Sequence, residues 1–268
     1  MICARRVALN GAQLDQADSS IVIRGVETAD GKENISAVAF GGRSGQRITG
    51  KRRDTLDVVV RFAINIKKAN LAGRAAALEA VNEWAARAKD GAVLTVNYKT
   101  NRQLYVILAQ APGEGNMFQY DREFSITFRA YGVPYWQETE ATATASIEAG
   151  TSGDADITVA GSADTVADVV LTNESESTVD TCAVSVDGNL MSFTGLGLAA
   201  GESLVIDHAE DGTLRIRILE TDESYRSAMA SRDPSSADDL FCRTGTRSAG
   251  FEAAASCSMT VECKGRYL

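Results

Sequence analysis

His208 is the only histidine of the chain, set in VIDHAEDG beside Asp207, Glu210 and Asp211. That cluster is the first place to look for acid–base or metal chemistry. A hydrolytic triad needs an imidazole oriented by a carboxylate and set against a serine or cysteine nucleophile. Neither a GxSxG elbow nor a cysteine in a recognisable nucleophile setting accompanies His208, so a turn or surface residue at a strand end is expected. The carboxylates around it lack the alternating oxygen ligands and distal glutamate of a calcium loop and are read as an acidic turn. Gly195-Leu196-Gly197 lacks the third glycine and the following helix of a dinucleotide site, and so supplies a bend between strands. The five cysteines, Cys3, Cys182, Cys242, Cys257 and Cys263, are scattered without a CxxC pair. That spacing argues against a structural zinc site and a disulfide framework, and predicts thiols. A cell-wall hydrolase needs paired carboxylates or a histidine-bound metal, and one histidine leaves little for zinc. The chain is therefore expected not to be an enzyme and to need no cofactor.

The other concentrated feature is GGRSGQRITGKRR, which places Arg43, Arg47, Lys51, Arg52 and Arg53 in a glycine-rich stretch that no helix or strand period claims. It reads either as a loop gripping phosphates or an acidic partner surface, or as a solvated loop whose glycines allow its turns. No aromatic side chains are interleaved for stacking on bases.

Around these residues the first half reads as strands about one helix. LDVVVRFAINI alternates, with Leu56, Val58, Val60, Phe62, Ile64 and Ile66 facing a core and Asp57, Arg61 and Asn65 facing away. Leu71 to Lys89 carries Leu78, Val81, Trp84, Ala85 and Ala88 at helical spacing, with Asn70 as N-cap and Gly91 as the stop. Val93 to Tyr98 and Gln103 to Ala109 flank a turn at Lys99 to Arg102, and Phe124, Ile126 and Phe128 mark a returning strand. The second half shows only short strand-like runs: Ile157–Val159, Ala167–Thr172, Cys182–Val186, Leu190–Phe193, Ser203–Asp207, Leu214–Leu219 and Ser258–Cys263. Asp187-Gly188, Ala200-Gly201 and Asp211-Gly212 are turn signals between them, which is the pattern of an antiparallel β-sandwich. Ser224 to Ser248 reads as a long polar loop or insertion, and Glu138 to Ala149 as a linker or a first extended strand.

Charge divides the chain at the same place. Residues 1–137 hold 19 Lys and Arg against 13 Asp and Glu, net +6, and residues 138–268 hold 8 against 23, net −15, together the −9 of the whole. Two domains with different surfaces are expected, 1–137 and 138–268. The N-terminus has two arginines but no apolar run of a secretory signal behind them, and no apolar stretch reaches the roughly 18 residues of a membrane helix. Synthesis in a reducing cytoplasm, with the cysteines kept as thiols, is expected.

The order GGRSGQRITGKRRDTLDVVVRFAI, a helix from Arg74 to Trp84 ending in NEWA, LTVNYKTNRQLYVILAQAP and YDREFSITFRAYGVPYW resembles the N-terminal domain of the distal tail proteins of long-tailed, siphovirus-type bacteriophages. In that family an arginine precedes a long strand, a helix carries a tryptophan, a strand pair follows, and a Pro-Tyr-Trp signature closes the domain, here Pro134, Tyr135 and Trp136. DVVLTNESES, GESLVID and the terminal KGRYL resemble the family's galectin-like C-terminal sandwich, although Ser224 to Ala249 is longer and more polar than that sandwich has. The resemblance implies a mainly β protein with one amphipathic helix: an N-terminal α+β ring domain, a sheet with a covering helix, followed by a galectin-like antiparallel β-sandwich. It further implies a homo-oligomeric, hexameric ring at the virion tail tip, made in the host cytoplasm, that joins the tail tube to the baseplate. Expected partners are the tail tube protein, the hub or tip protein, the tape measure and receptor-binding proteins. DNA passes through such a ring without sequence-specific binding. Within it Arg43, Arg47, Lys51, Arg52 and Arg53 are expected to serve assembly. The alternative is a carbohydrate-binding or host-adhesion module of a tail-tip complex, which wants exposed aromatics on the sandwich. Residues 138–268 offer only Phe193, Tyr225, Phe241, Phe251 and Tyr267.

Overall fold

The computed structural model describes residues 6–29, 33–39, 46–53, 55–67, 70–113 and 123–268. The chain divides into unit 1, Met1–Trp136, and unit 2, Gln137–Leu268. Unit 1 runs β1 (Val7–Leu9), β2 (Ala12–Gln13), β3 (Ile21–Ala29), β4 (Glu33–Ala39), β5 (Gln46–Arg53), β6 (Leu56–Ile64), α1 (Leu71–Ala86), β7 (Ala92–Val96), β8 (Arg102–Gln110) and β9 (Phe124–Ala130). Its main sheet has the order β2-β1-β7-β8-β9-β6-β3. The pleat of β6 buries Leu56, Val58, Val60, Phe62 and Ile64 on one face, as the alternation predicts. Across the β6–β9 ladder Val60 meets Ile126, Val58 meets Phe128, and Phe62 stacks on Phe124 at 5.4 Å. On the opposite face Arg129 forks onto both oxygens of Asp57, at 2.5 and 2.7 Å.

Helix α1 covers the apolar face. Asn70 caps it by accepting from Gly73 N at 2.9 Å, and Ala77, Leu78, Val81, Trp84 and Ala85 form its buried stripe. Trp84 sits edge-on to Phe128 at 5.9 Å and donates its indole N–H to the Ala12 carbonyl at 2.7 Å, so one side chain ties the helix to the edge strand β2 and to β9 in the sheet's interior. The helix stops at Ala86, three residues before the expected Lys89. Gly91 does not cap it directly: it has φ +111° and leads into β7, where an added Cβ would land 1.9 Å from the Tyr105 hydroxyl. The turn of the β7–β8 hairpin runs from Asn97 to Asn101, with Asn101 at φ 58°.

The basic stretch departs from its reading as a loop. Residues 46–53 form β5, paired antiparallel with β4 from Glu33↔Arg53 to Ala39↔Gln46, with a register shift between Ser36 and Ala37. A strand with this many charges and a central glycine escapes an alternation test because neither of its faces is a hydrophobic set. The sequence pattern also passed over β1, β2 and β3.

Unit 2 is built from β11 (Ala143–Val159), β12 (Thr165–Asn173), β13 (Val179–Val186), β14 (Asn189–Leu198), β15 (Ser203–His208), β16 (Leu214–Leu219), β17 (Tyr225–Ser227), β18 (Phe241–Cys242), β19 (Gly245–Cys263) and β20 (Arg266–Tyr267), while β10 (Trp136–Glu138) runs across the division. The sheet order is β14-β13-β19-β12-β15-β16-β17, with β11 on β19 and β18 on β12. Val169, Leu171, Val184, Phe193, Leu204, Ile206, Ile216, Ile218, Met259 and Val261 lie in one hydrophobic core. The 17-residue β11 and 19-residue β19 run far past the short apolar runs that signalled them, because their central halves are polar and small. Of the two readings of Glu138 to Ala149 the extended strand holds, since β11 begins at Ala143. Ser224 to Ser248 is not one long loop either, since it holds β17, a 3-10 turn at Met229–Ser231, β18 and the start of β19. At the β13–β14 turn Asp187 and Gly188 have φ 49° and 83°, the left-handed pair that a two-residue hairpin of matching twist requires. Gly195-Leu196-Gly197 lies within β14 beside the register irregularity against β13.

Candidate functional site

The basic strand β5 belongs to a two-stranded ribbon that joins neither of the larger sheets. Ile35, Ser36 and Ala37 on β4 point alternately to its two faces, yet all three are exposed, Ile35 at 55%. No element of the described chain therefore covers either face at that level. Arg47, Lys51 and Arg52 lie on its β5 strand, opposite Val38, Ile35 and Asn34. Arg43 lies outside the described residues.

Arg53 is the residue of the set whose side chain is defined, and it does a different task from the others. Its guanidinium lies 5.4 Å over the ring of Tyr135. The Nε is buried without a partner. The next residue, Trp136, is fully buried with Lys99 4.9 Å over its ring, and burial pushes the Lys99 amine below its ordinary range. The Pro-Tyr-Trp segment thus packs aromatic faces against two cations, one of them at the root of the ribbon. Arg53 holds the base, and Arg47, Lys51 and Arg52 lie further along.

His208 is no surface residue. Its side chain is 7% exposed, with Nδ1 2.8 Å from Asp168 Oδ1 and Nε2 2.9 Å from Asp239 Oδ1. Its backbone N–H also donates to Asp168 Oδ1 at 3.1 Å. A neutral imidazole has one N–H, so only the doubly protonated ring satisfies both carboxylates. Burial pushes the imidazole pKa down, but the hydrogen bonds and charges of Asp168 and Asp239 outweigh it and raise the pKa to about 9. A ring with both nitrogens engaged and a proton held to that pH has no lone pair for general-base work. His208 instead fastens the Asp233–Leu240 segment, through Asp239, to β12 and β15. Nothing in the VIDHAEDG string shows this, because Asp168 and Asp239 lie 40 and 31 residues away. Of the acidic neighbours, Asp207 pairs with Arg215 and with Arg217 at 2.8 Å, and Asp211 accepts from Thr213 N at 2.9 Å. Among the described residues no cluster of His, Cys, Asp and Glu is arranged to hold a metal ion.

Cys182, Cys242, Cys257 and Cys263 are buried free thiols, with burial pushing Cys182 up to about 12. Cys3 lies outside the described residues. Unit 2 also carries an open groove of about 680 Å³ lined by Ser152, Asp154, Ser185, Ser192 and Glu252 among others. Its only aromatic is Phe251, which is buried, and the exposed Tyr225 and Phe241 lie outside its lining. A hexose-stacking platform is therefore not built there.

No family model and no curated protein matches the sequence. Solved structures do. The crystal structure of SPP1 Dit, described as a paradigm of the hub adsorption apparatus of phages infecting Gram-positive hosts, superimposes with a TM-score of 0.68 at 12% identity, covering 98% of this chain and 99% of that one. A chain of the phage P2 baseplate in its activated, calcium-bound conformation matches with a TM-score of 0.49 at 8% identity over 97% and 98% of the two chains. The chain shares with SPP1 Dit a fold that runs end to end through both units, as the ordered motifs imply.

Proposed function

We propose that the chain is a structural subunit of a phage tail tip, six copies of which close into a ring that joins the tail tube to the baseplate or receptor-binding apparatus and leaves a passage for DNA. The observation that carries this reading is the likeness to SPP1 Dit over both units with almost nothing left over on either side. Three features of the chain support it. Ile35, Ser36 and Ala37 of the β4–β5 ribbon are exposed and its β5 strand includes Arg47, Lys51, Arg52 and Arg53, which suits an assembly arm. The one histidine is committed to two carboxylates, which leaves it unavailable for catalysis. Net charges of +6 and −15 on residues 1–137 and 138–268 suit two surfaces with different partners.

In this reading the first unit makes the ring and meets the tail tube protein, the tape measure and the hub, while the acidic sandwich faces outward to carry receptor-binding or other baseplate proteins. DNA passes without sequence-specific contact. A closed ring of identical subunits uses the same heterologous contact at every junction, so a single arm that docks on the neighbour suffices to build it. Mass photometry and negative-stain microscopy of the purified chain, alone and with isolated tail tubes, test it, together with proteomics of purified virions. Six-fold rings and presence at the tail tip are expected. A chain that stays monomeric at high concentration on tail tubes, and is missing from virions, overturns the reading.

A further inference from the structure

Strand β11 pairs with β19 and with no other strand, so one of its two edges is bare among the described residues. Register shifts between Ile147, Gly150 and Ser152 divide it, and past them the ladder runs unbroken from Ser152↔Glu252 to Val159↔Gly245. The bonds on the other side of β19 fix which groups the bare edge presents. Asp187, which stands opposite Ser248 where the β13 register continues, donates its backbone N–H to the Ser248 carbonyl at 2.8 Å. Both backbone groups of a strand residue point to one side, and the side alternates along the strand. Ser248, Gly250 and Glu252 therefore turn toward β13, and Arg247, Ala249 and Phe251 turn toward β11. Their partners Ile157, Ala155 and Gly153 bond back to β19. Ser152, Asp154, Asp156 and Thr158 turn their N–H and C=O groups to the open side, and none of them has a backbone bond to another element.

The same four residues also expose their side chains, whereas Ile157 and Val159 point into the core. Asp154 and Asp156 have no ion pair or side-chain hydrogen bond among the described residues. Ser152, Gly153 and Asp154 form the β11 side of the open groove of about 680 Å³, which no basic residue lines. A bare edge is a template for another strand, and proteins blunt it with lysines, prolines, bulges or short length. The stretch Ser152–Val159, SGDADITV, has neither lysine nor proline. Its guards are two aspartates, and they discriminate between partners. A second β11 would set carboxylates beside carboxylates, which destabilises a strand pair, whereas a strand with lysine or arginine would set opposite charges there.

We propose that the bare edge of β11 from Ser152 to Val159 receives, as an added strand, an extended segment of another tail-tip protein that carries lysine or arginine at alternate positions. Backbone bonds to Ser152, Asp154, Asp156 and Thr158 give the pairing, and the carboxylates of Asp154 and Asp156 select for charge. That the segment belongs to a tail-tip protein rests on the reading above. The edge and its charge preference do not.

The probe is a labelled heptapeptide, TKVKTKV, titrated into the full chain by fluorescence anisotropy, with amide exchange followed residue by residue by NMR. In the free chain the amides of Asp154, Asp156 and Thr158 are expected to exchange fast and those of Gly153, Ala155 and Ile157 slowly. Peptide at about ten times its Kd is expected to slow the first set about tenfold. Asp154→Asn combined with Asp156→Asn is expected to weaken binding about three- to tenfold. Asp156→Pro removes an outward N–H that β19 does not use, and is expected to weaken it about tenfold or more. The asparagine pair leaves the backbone alone and serves should the proline variant fail to fold. A peptide that does not bind, an interrupted peptide TKPKTKV that binds as well, a TEVETEV peptide that binds as well, or binding that leaves the outward amides unprotected overturns the proposal. In a second arm the β5 sequence QRITGKRR is the probe and ring formation is followed. If QRITGKRR protects the same amides about tenfold more tightly than TKVKTKV and Asp156→Pro lowers the ring fraction, the occupant is a second copy and the assignment to another protein is overturned. Rings that form unchanged in Asp156→Pro, while peptide binding is lost, support that assignment. A chain that binds TKVKTKV at this edge but never forms rings refutes the ring reading alone.

Discussion

Replacing His208 with glutamine keeps a hydrogen-bonding side chain between Asp168 and Asp239 but removes the charge that both carboxylates face. The folded imidazole titrates at about 9 against 6.5 for a free one. A group whose folded pKa is raised contributes stability that is present in full below the unfolded value and is lost as pH rises through the folded one. The window for His208 therefore runs from about 6.5 to 9. The full difference corresponds to at most about 3 kcal/mol, and the part lost between pH 6.5 and 8.5 to about 2 kcal/mol. Asp168 is 38% exposed, and solvent screening there reduces the loss to about 1 kcal/mol. Ionisation of unfolded thiols adds a loss in the same direction toward pH 8.5, because burial holds Cys182 and Cys257 above the ordinary thiol range, but it is common to wild type and variant and cancels in the comparison of their slopes. Urea denaturation followed at several pH values is expected to show wild type losing about 1–2 kcal/mol more between pH 6.5 and 8.5 than His208→Gln, which is less stable at the acid end of that window. A wild type equally stable at both pH values, or a glutamine variant that keeps the slope, refutes the assignment of a doubly bonded imidazolium. Because Asp239 sits on the segment that His208 fastens, proteolysis within Asp233–Leu240 should quicken with pH in step with the stability loss.

Serine at Arg43, Arg47, Lys51 and Arg52, with Arg53 left on the Tyr135 ring, is expected to weaken association with neighbouring subunits or tail tubes in a salt-dependent way. The monomer's melting temperature should move by no more than about 2 °C if these charges act between chains rather than within one. Normal assembly of that variant at physiological salt would show the ribbon's charges to be idle. Trp84→Ala removes the ring that packs on Phe128 and the indole donor to Ala12, and is expected to cost unit 1 about 3–5 kcal/mol. A loss under about 1 kcal/mol in chemical denaturation contradicts the packing. Alkylation without reductant should modify Cys182, Cys242, Cys257 and Cys263 only after unfolding and then completely, whereas an intact mass two hydrogens short would reveal a bridge.

The elements that could be read from sequence are those whose partner is the protein's own core. Strand β6 announces itself because five alternate residues are buried, and α1 because its stripe repeats at helical spacing over Ala77, Leu78, Val81, Trp84 and Ala85. Asp187-Gly188 is legible because a two-residue turn with two positive φ values restricts residue type severely. Strand β5 was illegible for the opposite reason: its sequence, QRITGKRR, sets four basic residues and a glycine against one large aliphatic residue, so no hydrophobic period marks it. The same holds for the middle of β11, where residues such as Ser152 and Asp154 line an open groove. His208 was misread for a different cause. Its environment is assembled from Asp168 on β12 and from Asp239 in the polar segment, and local sequence says nothing about which distant carboxylates converge on a ring.

That contrast also says where the function of such a chain must be sought. A catalytic site is complete within its own fold, so its acids, bases and ligands find one another inside the molecule and their pairing can be inspected directly. Here His208 pairs with Asp168 and Asp239, Asp187 with Arg243, and Asp57 with Arg129, each a contact made within the chain. The β4–β5 ribbon is of another kind: its β4 residues Ile35, Ser36 and Ala37 are exposed, and its β5 strand is basic. Ordering such a ribbon costs conformational entropy, which a second surface offsets by supplying sheet cover. In the proposed ring that surface belongs to the neighbouring subunit.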